Sequence, residues 1–183
     1  AASQALGRAV TQAMQSLAMV GGRFAAELRP LEEPGAGGLE EVAFEVAAHS
    51  SLPLRPLAKV ASGGELSRIS LAIQLVAAKQ SPIGTLVFDE VDSGIGGAVA
   101  ETVGRSLKKL GRERQVLCVT HLPQVAAQAE EQWSVSKSGA AGSKRGRLSS
   151  AVTRLDRAGR IEELARMLGG TEITATTRKH AAE

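Results

Sequence analysis

The chain has 183 residues, a formal net charge of +3 and a hydrophobic fraction of 43%, the size of one domain that buries roughly 70% of the surface its unfolded form exposes. Thirty alanines set against three Phe, one Trp and no Tyr leave almost no aromatic platforms, which argues against recognition of single-stranded nucleic acid through stacked bases. The one cysteine, Cys118, excludes an internal disulfide framework and a multi-cysteine zinc cage and fits a reducing compartment, and no run of about 18 apolar residues is present to span a membrane.

Residues 1–20 place Leu6, Val10, Met14 and Leu17 at spacings that draw one apolar stripe along a helix, which Gly21-Gly22 should end. The opening Ala1-Ala2-Ser3-Gln4 has no initiator Met, basic stretch or apolar stretch, so the chain reads as a piece of something longer without a secretory leader. Arg23 to Leu28 and Leu39 to Ala47 read as strands, the second alternating through Val42, Phe44 and Val46. The turn chemistry of Pro34-Gly35-Ala36-Gly37-Gly38 between them predicts an antiparallel pair. Pro53 to Pro56 reads as a connector.

A helix is predicted from Ser62, with Leu66, Ile69, Ile73 and Val76 on one face and Ser81-Pro82 as its stop. Thr85-Leu86-Val87-Phe88 is an apolar run of the kind buried on both faces of a sheet, and it breaks into Asp89-Glu90. A glycine-rich turn leads to a helix through Val99, Val103, Leu107 and Leu110, closed by Gly111, and then to a second strand, Gln115 to Thr120. This is a β-α-β unit with parallel strands and a right-handed crossover. Both strands end in polar chemistry, at Asp89-Glu90 and Thr120-His121, on the edge where ligands sit in open α/β sheets. Further on, a short helix is predicted from Pro123 to Glu131. Trp133 to Lys137 should pair with Ala151 to Leu155 around a Ser/Gly/Lys/Arg loop, and a last helix should run from Ile161 to Leu168, capped by Gly169-Gly170, with Thr171 able to start another. Trp133 and Cys118 read as packing residues, His49 and His180 as exposed.

Each candidate site residue has two readings. An aspartate and a glutamate at the end of an apolar strand suit magnesium binding and activation of water, and equally suit an N-cap for the next helix. His121 at the neighbouring strand end suits donation to a phosphate oxygen; alone, it would be an ordinary polar residue. Ser62-Gly63-Gly64-Glu65 is a capping box, and its paired glycines at a helix N-terminus also let backbone N–H groups approach an anion. Lys144, Arg145, Arg147, Arg154, Arg157 and Arg160 form a basic run interrupted by Asp156, either a solvated hairpin or a phosphate-backbone contact.

In combination and in order, these motifs resemble the ABC-type ATPases. Ala61 to Arg68 is similar to their signature motif, Thr85 to Glu90 to a Walker B strand, Val91 to Gly97 to the D-loop region, and His121 to the switch histidine. The wording Phe-Asp-Glu-Val-Asp-Ser-Gly-Ile-Gly-Gly, Val-Leu-Cys-Val-Thr-His-Leu-Pro-Gln-Val-Ala and Glu-Glu-Leu-Ala-Arg-Met-Leu-Gly-Gly resembles the SMC-like branch that serves bacterial DNA double-strand-break repair. The resemblance covers about residues 23 to 179 and implies an α/β fold: the C-terminal lobe of an ABC-type ATPase head. Residues 1–22 would be the end of a coiled-coil arm or its junction, and residues 23–183 the lobe itself.

The implied chemistry is an ATP sandwich. Asp89 would help hold Mg²⁺, Glu90 would polarise the attacking water, and His121 would contact the γ-phosphate. Ser62, Gly63, Gly64 and Glu65 would face the nucleotide of a second head in an ATP-dependent homodimer. Two departures stand out. No Gly-x-x-x-x-Gly-Lys-[Ser/Thr] occurs, so the phosphate loop would come from the N-terminal lobe of the same head. Gly96 stands where many of these ATPases carry the D-loop aspartate, and Asp92 is the nearest carboxylate and the candidate substitute. The resemblance implies DNA as a partner of the complete protein, no membrane, and a cytoplasmic, nucleoid-associated location. Another SMC-like or ABC-type head, or a non-catalytic interaction module that keeps the motifs as surface, are the competing readings.

Overall fold

A computed structural model describes residues 2–60, 62–89, 92–139, 148–169 and 172–183, and divides into two compact units, Ala1–Val119 and Thr120–Glu183. In the first unit the N-terminal helix α1 (Ala2–Ser16) buries Gly7, Val10 and Met14 on one stripe. It ends four residues before the predicted boundary. Ala18 adopts φ 58°, and the Met19 N–H returns to the Met14 carbonyl at 3.1 Å, which is the bond of a Schellman ending made with alanine where glycine is usual. The Gln15 amide then bridges the turn, donating to the Gly22 carbonyl and accepting from the Gly21 N–H.

Strands β1 (Arg23–Gly35) and β2 (Gly38–Ala47) form the expected antiparallel hairpin, longer than predicted because a bulge between Pro30 and Gly35 carries the pairing through to Gly38. The expected connector supplies a two-residue edge strand, β3 (Arg55–Pro56), beside Glu45 and Val46. Pro56 is tolerated there because an edge strand has a free side for the residue that lacks an N–H. Directly opposed residues share a face. Phe24, Ala26 and Val46 therefore lie together beneath α1, and the Phe24 and Phe44 rings approach to 5.4 Å along the same face.

Helix α2 (Gly63–Gln80) packs on α1 and buries Ile69, Leu71, Ala72 and Ala78, which at 3.6 residues per turn spread over more than one face. Leu66 is exposed and Ile73 and Val76 are half-buried, so of the predicted stripe only Ile69 is fully buried. Strands β4 (Thr85–Phe88) and β5 (Gln115–Cys118) are parallel neighbours, Thr85 opposite Gln115 and Phe88 opposite Cys118, with α3 (Gly97–Gly111) between them in sequence. Arg114 ties the start of β5 to the end of α2 by donating to the Ala78 and Ser81 carbonyls at 2.6 and 2.9 Å. The expectation that β4 is buried on both faces is not met. Phe88 is buried, but Val87, Leu117 and Val119 are exposed, because among the described residues this sheet is two strands wide and α3, packed on β5, covers it from one side.

In the second unit α4 (Pro123–Ala126) is a single turn, shorter than predicted. Its end is held by Arg160, whose guanidinium donates to the Ala127 and Ala129 carbonyls at 2.9 and 2.5 Å and, at 3.4 Å, to those of Ala126 and Glu130. Strands β6 (Trp133–Gly139) and β7 (Leu148–Arg154) pair antiparallel, Trp133 opposite Arg154, and Trp133 is exposed where packing was expected. Helix α5 (Arg157–Gly169) begins after Asp156, whose carboxylate accepts the Gly159 N–H at 2.7 Å. Helix α6 (Ala175–Ala182) is capped by Thr174, three residues beyond the predicted Thr171, which lies outside the described residues. Among the described residues no helix is long and apolar enough to cross a membrane.

Candidate functional site at the carboxyl end of the parallel strands

Helix α2 starts as its sequence dictates. Ser62 has extended backbone angles, and its Oγ accepts the Glu65 N–H at 3.4 Å, one half of the capping box. Ser62 and Gly63 are exposed, and a Cβ at Gly63 would meet nothing within 4 Å. The first turn of an 18-residue helix thus presents open N–H groups and the positive end of its dipole to the surface.

The turn after β4 comes to the same place. Gly94 sits at φ 73°, and a Cβ there would lie 3.3 Å from the Cα of Gly64. Conversely, a Cβ on Gly64 would meet the Gly94 carbonyl at 3.8 Å. At Gly94 the tight approach adds to the left-handed φ in disfavouring a side chain, whereas the 3.8 Å contact at Gly64 is ordinary packing. The start of α2 and the turn after β4 therefore meet backbone to backbone, although 30 positions separate Gly64 from Gly94. Gly94→Ala should cost about 1–2 kcal/mol for the left-handed backbone alone, plus the displacement of Gly64. The check is a lowered urea midpoint for the Ala1–Val119 unit.

The two aspartates differ sharply in environment. Asp89, just beyond β4, is exposed, whereas Asp92 is 2% exposed and is the one charged residue type found in the described core. Both reach Cys118 electrostatically: its thiol is pushed up to about 11, first by burial, then by Asp92, then by Asp89. Cys118 therefore stays a neutral thiol at neutral pH. The strand end is a region of negative potential, which resists further negative charge and favours a cation. Asp92, the candidate substitute for the D-loop aspartate, is thus buried at this corner.

Glu90, the proposed water-activating carboxylate, lies outside the described residues, as do Lys144, Arg145 and Arg147 of the basic loop. Thr120 and His121 open the second unit, in which Thr120 Oγ1 accepts the Leu122 N–H at 3.1 Å and the His121 ring is exposed. Of the sequence candidates, the first unit groups Ser62, Gly63, Gly64 and Glu65 with the turn containing Asp92, at the corner where β4 delivers Asp89. Sequence reasoning missed Gly94, although a glycine following Asp-Ser in a turn is a signal for positive φ. It also gave the basic run too uniform a role: Arg154 pairs with Glu131 at 2.5 Å and Arg160 clamps α4, leaving Arg157 exposed.

No family model matches the chain. It is 47% identical to the DNA repair protein RecN of Xylella fastidiosa over 99% of its own length, 45% identical to RecN of Vibrio cholerae over 97%, and 43% identical to RecN of Streptomyces coelicolor over 100%. In each case the chain spans about a third of the relative, 32–33%. Among solved structures it superposes on an SMC ATPase chain described for ATP-driven dimerization and DNA-stimulated activation, with TM-score 0.63 and 22% identity, over 93% of this chain and 96% of the other. The SMC head of Pyrococcus yayanosii, solved with a coiled coil and joint, gives TM-score 0.67 and 22% identity over 88% of this chain and 28% of the other. In sequence, then, the chain is a relative of the RecN DNA repair proteins over about a third of their length, and in fold it matches SMC heads.

Proposed function

We propose that this chain is the C-terminal lobe of the ATP-hydrolysing head of a RecN-type protein of DNA double-strand-break repair, residues 1–22 ending a coiled-coil arm and residues 23–183 forming the lobe. The observation that carries the reading is the contact of Gly64 with Gly94. It joins the exposed start of α2, a cradle for anionic oxygens, to the turn that follows the acidic end of β4. The donor set fits magnesium nucleotide. Asp89, exposed just beyond β4, offers a single carboxylate of the kind that meets magnesium together with waters and phosphate oxygens.

ATP bound with Mg²⁺ supplies the transferable γ-phosphoryl group and its diphosphate leaving group. Asp89 would hold the ion through water, Glu90 would orient the attacking water and accept its proton, and the His121 ring would donate to a phosphate oxygen. Ser62 Oγ and the Gly63 and Gly64 N–H groups would face the nucleotide carried by a second head, so that charge on the transferring group is met only when two heads engage. The phosphate loop would come from the N-terminal lobe of the same head, DNA would be engaged by the complete protein, and the setting would be the cytoplasm at the nucleoid.

The test separates the lobes. Residues 1–183 alone should show no measurable ATP turnover and no tight ATP binding, whereas the same chain joined to its N-terminal lobe should hydrolyse Mg-ATP. Nanomolar ATP affinity for the chain alone, measured by calorimetry, would overturn the assignment of the phosphate-binding groups. Absence of turnover by the complete protein with and without DNA would overturn the enzymatic reading in favour of an interaction module.

A further inference from the structure

The chain places opposite charge on its two hairpins. The β1–β2 hairpin holds Glu27, Glu32, Glu33, Glu40, Glu41 and Glu45 against Arg23 and Arg29. From Trp133 to Leu155, the stretch that contains β6 and β7, there is no Asp or Glu, whereas Lys137, Lys144, Arg145, Arg147 and Arg154 all occur. Arg154, at the base, is paired with Glu131. The other four gather towards the far end, where Gly139 opposite Leu148 is the last pair and eight residues, 140–147, join the strands. No more than four residues, about 14 Å of extended chain, separate Lys144, Arg145 or Arg147 from that pair.

Among the described residues β6 and β7 form a sheet of their own, and Ser136, Lys137, Ser149, Ser150 and Thr153 are exposed on it. Directly opposed residues share a face, and successive residues alternate between faces. One face carries the apolar side chains of Trp133, Val135 and Val152, with Lys137 beyond them. The other carries hydroxyls: Ser134 opposite Thr153, Ser136 opposite Ala151, and Ser149 further along. Hydroxyls and cations without carboxylates are the groups that meet phosphate oxygens. A ribbon of two seven-residue strands is about 20 Å long and narrow enough to enter a major groove about 12 Å wide.

We propose that the β6–β7 ribbon is a binding surface for the phosphate backbone of duplex DNA. This rests on the reading that the complete protein engages DNA, and it assigns a contact to this lobe. The acidic β1–β2 hairpin repels the same polyanion, so the two hairpins sort DNA to one of them. Between Trp133 and Leu155 there is no Asn or Gln to read an adenine edge, so the grip works through charge and hydroxyls and is independent of sequence. Breaks fall at any sequence, and their repair needs a grip of that kind. One exposed tryptophan is too few to hold a single strand by stacking.

The experiment measures binding of the 183-residue chain, and of the complete protein, to a fluorescein-labelled duplex of about 30 base pairs by anisotropy, from about 50 to about 200 mM salt. In the 183-residue chain Lys137→Glu should weaken binding about tenfold and make the slope of log affinity against log salt shallower by about 0.9. Ser136→Glu, on the hydroxyl face, should weaken it about threefold or more. Lys108→Glu makes the same charge change on α3 and should alter affinity by less than about twofold. All three positions are exposed, so the urea midpoints should match that of the parent chain. Equal losses in Lys137→Glu and Lys108→Glu would mean attraction to net charge alone and overturn the proposal, as would tighter binding of a single strand than of the duplex. Unchanged affinity in Lys137→Glu overturns it and leaves the ribbon to an acidic protein surface. DNA binding by the complete protein with none by the 183-residue chain sets the contact elsewhere, which overturns this inference and leaves the repair reading intact. No DNA binding by the complete protein overturns both.

Discussion

Glu90→Gln in the complete protein should lower ATP turnover on the order of 10²-fold or more while nucleotide binding persists, the loss typical of removing a positioned base. The amide keeps the size of the carboxylate and its capacity to accept a hydrogen bond from water, but does not take up the proton. Asp89, the carboxylate proposed to hold magnesium, is untouched, so the ATP-bound state should form and then persist. The paired heads would accumulate, visible as a nucleotide-dependent dimer in sedimentation that wild-type protein shows only transiently. Asp89→Asn should behave differently, weakening magnesium-dependent nucleotide binding itself, because the charge that meets the cation is lost. Unchanged turnover in Glu90→Gln would move the base to another residue.

Much of this corner is legible in the chain itself, and for identifiable reasons. The start of α2 is written in four consecutive residues, Ser62 to Glu65, because a helix cap is a local device. The parallel pairing of β4 with β5 follows from an intervening 15-residue helix, which a hairpin cannot contain. What stayed illegible depends on distant partners. The contact of Gly64 with Gly94 joins backbones without side chains to announce it, and nothing local to Asp92, a charged residue in a turn, marks it as buried. Arg160 read as one charge in a basic run because nothing local marks the carbonyls of Ala126, Ala127, Ala129 and Glu130 as its targets. The exposure of Val87, Leu117 and Val119 belongs to the same class: an apolar run states that a strand wants cover, and the cover is supplied by other parts of the fold.

Ser62→Arg should harm assembly more than nucleotide binding. Ser62 is exposed at the mouth of α2, its Oγ accepts only a long 3.4 Å bond from the Glu65 N–H, and Gly63 beside it faces open space. A guanidinium on that surface would fill the approach of a second head, while the groups proposed to bind the first head's own nucleotide, Asp89, Glu90 and the N-terminal lobe, are unchanged. Removing the cap costs about 1 kcal/mol, too little to unfold a domain, so a large activity loss would not be a folding effect. Complementation then decides where Ser62 acts. In a mixed dimer of a Ser62→Arg chain and a Glu90→Gln chain, one composite site pairs the mutant signature with the mutant glutamate, and the other retains both native residues. If the signature works across the interface, the mixture should recover activity that neither mutant shows alone, up to about half of wild type where the intact site turns over independently. No recovery despite demonstrated mixed dimers would confine Ser62 to capping its own helix.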